Sequence, residues 1–291
     1  MASADFKGPV TLERLVDMTT TVYSLPLFYD RLTEIINHPR CSVTDIARVI
    51  TEDQGLTARL LKLANSPMFG YYSRIDTINK AVTIIGTQQI RDLALAMSVM
   101  EVFTDIPKEL INMKSFWRHG IACGIIARAL ATYRRENNVE RYFAAGILHD
   151  LGLLVMCTTI PGIVREILVT CSKDGTLCLN GELAHLGFTH AEVGRDLFRK
   201  WKIPVSIVEP VACHHAPAMA EQFPLGASII HLANIICQAL ELGSSGERFV
   251  HPLDPAAWQR LDIPACALSR IVKQVEPQLE EAFAILGENA L

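Results

Sequence analysis

The chain has 291 residues, half of them apolar and 20% charged, with a net charge of −4 at neutral pH. This length suits one large domain or two modest ones around a substantial core. The negative balance argues against bulk electrostatic attraction to nucleic acid or to anionic lipid.

The first ten residues, M-A-S-A-D-F-K-G-P-V, contain no apolar signal core. A helix is expected over 28–37. Val43, Ile46, Ala47 and Ile50 then fall at i, i+3, i+4 and i+7, with Ser42 or Thr44 as the cap. Leu56, Leu60, Leu63 and Ala64 repeat the pattern after Gly55, and N-S-P at 65–67 ends that helix. Further helices are expected over 77–85, 87–103, 109–132, 139–157, 189–200, 204–215, 224–242 and 265–286. No convincing run of alternating strand residues appears, so the expected fold class is all-α.

The helix pair in 42–65 has the outline of a helix-turn-helix DNA reader. Such a reader needs basic and amide side chains on the exposed face of its second helix. Thr57, Arg59 and Lys62 are a thin set, and residues 1–107 carry 12 acidic against 10 basic residues. DNA is therefore not an expected partner.

The stretch 142–164 is long enough to suggest a membrane span. Asp150 near its middle, followed by Pro161-Gly162, argues for a buried core helix ending near Thr159 instead. The eight cysteines form no C-x-x-C pair, so neither a disulfide framework nor a zinc ribbon is indicated. Reduced thiols and a cytoplasmic location are the simplest expectation.

Asp150 is the only formally charged residue between Arg141 and Arg165, and His149 sits beside it. A buried carboxylate without a partner costs several kcal/mol, roughly, even after relaxation. Hydrogen bonds, a cation or a metal must compensate it. Eight of the nine histidines lie after residue 118: His119, His149, His185, His190, the His214-His215 pair, His231 and His251. His185, His231 and His251 look ordinary. The end of the helix after Pro204 would favour an imidazolium at His214-His215, or ring donors satisfied by hydrogen bonds. Imidazole and carboxylate ligands suit iron, manganese or zinc. Spacing alone leaves open whether these groups converge.

The chain resembles the HDOD branch of the HD-domain superfamily over roughly residues 20–240. The resemblance rests on L-P-L-F-Y-D-R-L at 25–32, D-I-A-R-V-I-T-E-D-Q-G-L-T-A-R-L-L-K-L-A-N-S at 45–66 and A-V-T-I-I-G at 81–86. F-W-R-H-G, A-G-I-L-H-D-L-G, T-H-A-E-V-G and W-K-I-P…H-H-A-P follow in the family's order. Gln54 replaces the proline usual at its position. The resemblance implies an HD-like helical bundle with an N-terminal helical subdomain, and a regulatory output or scaffold role in bacterial signalling. The implied layout is an extension at 1–20, an N-terminal subdomain at 21–107, an HD-like subdomain at 108–245 and a C-terminal extension at 246–291.

The catalytic relatives are the HD-GYP phosphodiesterases, which hydrolyse cyclic di-GMP at a metal cluster. On their pattern His119, His149, Asp150, His190, His214 and His215 match ligand positions. Three departures stand out. Asn234 takes the place of the last aspartate, Leu153 replaces the lysine after H-D-x-G, and A-P-A-M follows His215 without a G-Y-P loop. The expectation is a signalling module acting with protein partners, its site degenerate but able to take a divalent metal or small ligand. The alternative is a metal-dependent phosphohydrolase acting on a nucleotide or cyclic dinucleotide. No membrane partner is expected.

Overall fold

The computed structural model describes residues 9–287 except 23, 24, 26, 72, 104 and 105. Among the described residues every regular element is helical, as the sequence pattern implies.

The N-terminal half contains α1 (Leu12–Val22), α2 (Leu27–Asn37), α3 (Val43–Thr51), α4 (Gln54–Ala64), α5 (Ile78–Ile85) and α6 (Thr87–Val102). Ser42, not Thr44, caps α3: its side chain accepts from the Asp45 amide while Asp45 accepts from the Ser42 amide. Asp53 caps α4 by accepting from the Leu56 amide. Leu56, Leu60 and Leu63 are buried, and Arg59 turns to Glu101 at 2.5 Å with its side chain 13% exposed.

The second half is built on α7 (Met113–Tyr133), which packs along α8 (Glu140–Leu148), α14 (Pro224–Ala239) and α16 (Ala265–Ala282). Next to these lie α9 (Leu151–Thr159), α12 (His190–Lys200) and α13 (Val205–Ala212), with α9 against α12 and α13 against α8. The buried apolar side chains of both halves form one continuous cluster.

Four segments differ from the sequence expectation. The helix expected over 139–157 is two helices, α8 and α9, interrupted at His149-Asp150. Asp150 leaves helical geometry at φ −96° and ψ 9°. Residues 161–186, where no helix was expected, form α10 (Pro161–Asp174) and α11 (Cys178–Leu186). Pro161 opens α10, where its missing N–H costs nothing. The segment expected to be an N-terminal extension contains most of α1, which packs on α12 and α9. The C-terminal segment adds α15 (Pro255–Leu261), seated against α14. The apolar stretch Glu140–Thr159 is long enough to cross a membrane by composition, but 89% of it is buried inside the fold.

Close approach of α9 to α12 depends on Gly152. A Cβ there would overlap the His190 carbonyl oxygen and come within 2.7 Å of the Gly194 nitrogen. Both contacts are backbone, so neither can swing aside. Gly152→Ala should gain about 1 kcal/mol of helix propensity and lose more by forcing the helices apart. A net loss of about 2 kcal/mol is expected, read as a lower urea midpoint at unchanged slope. An unchanged midpoint would mean that the two helices can separate freely.

Candidate metal centre

The break between α8 and α9 places two adjacent ligand-type side chains at one buried point. His149 is wholly buried, and its Nδ1–H donates to the Gly146 carbonyl at 2.7 Å. A carbonyl can only accept, so Nδ1 carries a proton and Nε2 faces Asp150. The same device recurs at His214. Its Nδ1–H donates to the Val211 carbonyl at 2.6 Å, just past the end of α13.

His190 opens α12 behind a capping box formed by Thr189 and Glu192. Its Nδ1–H donates to both oxygens of buried Glu182 at 2.8 Å, and its backbone N–H donates to the same carboxylate at 2.8 Å. Glu182 therefore fixes both the ring and its helix start. Its placement is that of a carboxylate partner to a metal-binding histidine.

Asp150 lies at the centre of the cluster. Its Oδ1 is 3.3 Å from His190 Nε2 and 3.6 Å from His214 Nε2. Its Oδ2 is 3.1 Å from His149 Nε2 and 3.8 Å from His119 Nε2. The two oxygens thus face two different sets of rings. His215 joins the first set through its Nε2, 3.0 Å from His190 Nε2. His119 reaches across from α7 and meets Asn234 of α14, Nε2 to Oδ1, at 3.0 Å.

All six residues expected as ligands therefore meet in one cluster. The donor atoms of Asp150, His190, His214 and His215 lie within 4.8 Å of one another, as do those of His119, His149 and Asp150. The Nε2 atoms of His149 and His214 are buried without a hydrogen-bond partner. Ring nitrogens without partners, gathered around one carboxylate, are the arrangement a divalent cation requires once they give up any proton, so a metal fits this donor set.

The protonation pattern points the same way. Burial alone would raise Asp150, but the surrounding imidazoles, His149 foremost, hold it well below the usual carboxylate range. Burial opposes a charge on His190, yet Glu182 and Asp150 outweigh it and push His190 up to about 10. His149 is raised well above its ordinary value against the same burial cost, by Asp150 and Cys123. Burial lowers His119 to about 4 and His214 to about 3, and puts His215 well below its ordinary value. Of the two states the helix end allowed for His214-His215, His214 therefore takes the neutral, hydrogen-bonded one. Two imidazolium ions thus balance the two carboxylates, Asp150 and Glu182.

Two groups escaped the sequence reading. Glu182 sits on a helix that was not expected, and nothing in its spacing to His190 marks it. His251 looked ordinary, but its ring lies 4.2 Å from that of His215. His231 is a structural linker: its Nδ1–H donates to the His214 carbonyl at 2.8 Å and its Nε2 accepts from the Asp254 amide at 3.0 Å. His185 donates to the Gly181 carbonyl within its own helix.

The cavity beside the cluster holds about 20 Å³, room for about one water. Leu153, Met156, Val164 and Ile167 form its apolar wall. Among the described residues lining it there is no lysine or arginine.

The HDOD domain family model matches residues 22–217. The chain belongs to the HDOD family. Three solved structures share its fold. A provisionally assigned phosphohydrolase of Shewanella amazonensis SB2B is 24% identical, covers 96% of this chain and 98% of its own, and superposes with a TM-score of 0.74. An HDOD domain protein of unknown function from Geobacter sulfurreducens is 20% identical at a TM-score of 0.71, covering 95% and 96%. A provisionally assigned signal transduction protein of Marinobacter aquaeolei VT8 is 19% identical at a TM-score of 0.73, covering 99% of this HDOD chain and 64% of its own. An uncharacterized protein of Treponema pallidum is 24% identical over 238 residues, 79% of this chain and 45% of that protein. The HDOD chain thus spans less than half the length of that curated relative.

Two outcomes follow from the geometry. Glu182→Gln removes the charge that orients His190 and should weaken divalent-metal affinity about 10- to 100-fold, measured by competition with a chelating dye. An unchanged affinity would remove Glu182 from the site. Metal loading should also release protons, about one per ion near neutral pH, as His190 loses its own. The His190 proton is held to about pH 10, so affinity should keep rising as pH increases towards that value. Titration calorimetry in buffers of different ionisation enthalpy counts the protons, and a count of zero would contradict the protonation pattern.

Proposed function

We propose that this HDOD chain is a regulatory module that works through protein partners, and that its degenerate HD site takes one divalent metal ion. The ligands would be Asp150, His190, His214 and His215, a carboxylate with three imidazoles. Iron, manganese or zinc would suit that set. The second set is poorer, offering His119, His149 and the shared Asp150 beside the neutral amide of Asn234. His119 already has a partner in that amide, so a second ion must displace a hydrogen bond and gains no extra charge.

The observation that carries a non-catalytic reading is the cavity itself. Its volume admits a water, not a nucleotide. Its lining has carboxylates and imidazoles but, among the described residues, no cation to meet a phosphate. Leu153 stands where the resemblance to the phosphodiesterases would have a lysine. A bound divalent ion would supply Lewis acidity and lower the pKa of water. Inside that cavity the capacity lacks a group positioned to hold a phosphate; Arg195 and Arg199 line a separate cleft beside His215. The name of the Marinobacter relative is consistent with signalling.

The second reading, a metal-dependent phosphohydrolase, is favoured by the way Asp150 turns one oxygen to each set of rings. In that case Asp150 would hold both sets in register around the reacting phosphate. The name of the Shewanella relative is consistent with it.

The deciding experiment incubates the full chain, loaded with Fe²⁺ or Mn²⁺ without air, with nucleoside phosphates and cyclic dinucleotides. No release of phosphate or linear dinucleotide above a metal-only blank is expected. Release that disappears in Asp150→Ala would establish the hydrolase and end the non-catalytic proposal.

A further inference from the structure

The five histidines around Asp150 are not held alike. In His149, His190 and His214 the Nδ1 atom is tied to a carbonyl or carboxylate. In His119 and His215 the Nδ1 atom is buried and has no hydrogen-bond partner. Three rings are therefore tied at Nδ1, and two are held only through Nε2, His119 by Asn234 and His215 by His190. The His215 ring and the His119 backbone meet the segment 243–254, which crosses the site between α14 and α15.

This strap is fastened at both ends and in the middle. Gly243 presses on α7 at φ +82°, where a Cβ would overlap the Ser115 carbonyl oxygen and lie 2.5 Å from the His119 backbone nitrogen. The Ser244 amide donates to the Ser115 carbonyl at 3.1 Å. In the middle, half-buried Glu247 accepts from the Cys178 amide at 2.7 Å with one oxygen. Its other oxygen accepts from the Arg248 amide at 2.7 Å and the Phe249 amide at 3.0 Å. This fastens the strap to the start of α11, the helix that carries Glu182. Further on, the His251 amide donates to Gln238 at 3.0 Å, and the His251 ring lies 4.2 Å from the His215 ring. At the far end the Asp254 amide is joined through His231 to the His214 carbonyl. Only His149 has no link to the strap. On the outer side the strap exposes Phe249 at 39%, Val250 at 48% and Leu253 at 40%.

We infer that the strap 243–254 reports occupancy of the metal centre, stiffening over the site when the ring of His215 is fixed by ligation and loosening when it is not. The inference rests on the metal reading above and adds the element that changes. Ligation commits one ring nitrogen of His215 to the ion and so fixes the ring plane. His251 lies directly against that ring, and Gly243 against the His119 backbone. The bonds through Glu247 and His231 carry the same restraint to α11 and α15. The exposed apolar side chains sit on the part that changes order, so a free-energy change at the ion becomes a change at the surface.

Hydrogen exchange by mass spectrometry on the full chain tests this, with and without Mn²⁺, with bound manganese counted on the same samples. Loading should slow exchange of the Ser244, Phe249, His251 and Asp254 amides about tenfold or more, while α3 and α4 stay unchanged. Glu247→Gln keeps one of the two oxygens and so cuts the link to α11 or the link within the strap. It should keep manganese binding but lose most of the slowing at Phe249 and His251. If that variant fails to fold, Gln238→Ala removes only the acceptor of the His251 amide and should lose the slowing there. Manganese bound with no change in the strap overturns this inference and leaves the metal reading standing. Slowing retained in full in a folded variant overturns it too. No manganese bound overturns the metal reading and the strap's role with it.

Discussion

A single buried carboxylate organises the second half of this molecule. Asp150 is held where water cannot solvate it, and its charge must be met by groups brought from elsewhere in the chain. Those groups come from α7, from the break between α8 and α9, from the first residue of α12 and from the turn after α13. Each element is placed by its own local rule: a capping box at α12, a carbonyl receiving the Nδ1 proton at His149 and His214, a glycine that lets α9 touch α12. The site is therefore not a decoration on a finished bundle. The elements that bury the apolar core are the ones that deliver the rings, and the fold and the cluster share one set of constraints.

The chemistry then depends on what the cluster lacks. Carboxylate and imidazole are present in the number that one divalent ion needs. The groups that would hold a phosphate are not in the cavity wall, which is apolar where it is not acidic or imidazole. Neutral Asn234 has taken up His119 in a hydrogen bond. Such a centre suits an ion that stabilises one arrangement of the helices better than it suits turnover. The strap over His119 and His215 gives that arrangement a path to the surface.

Much of this was legible from residue order, for identifiable reasons. The N-terminal helices carry apolar residues on one face only, so their 3.6-residue period is visible in α3 and α4. In α8 and α9 nearly every position is buried, and a helix buried all round has no period to show. The break at His149-Asp150 was therefore invisible, although the pair itself stood out as a charge in an apolar run. The core helix ends at Thr159 before Pro161, as expected, and Pro161 also opens α10, because proline disfavours the preceding residue but is at home in the first turn. Local pairs such as His149-Asp150 and His214-His215 could be seen. Glu182 and His251 could not, because their roles exist only after α11 folds beside α12 and the strap folds beside His215.

The most direct test of the account is the number of metal ions per chain, by elemental mass spectrometry on protein prepared without air and loaded with Fe²⁺ or Mn²⁺. The account predicts one ion per chain, lost in His214→Ala and kept in His119→Ala. Two ions per chain, or one ion that His119→Ala removes and His214→Ala does not, would contradict it.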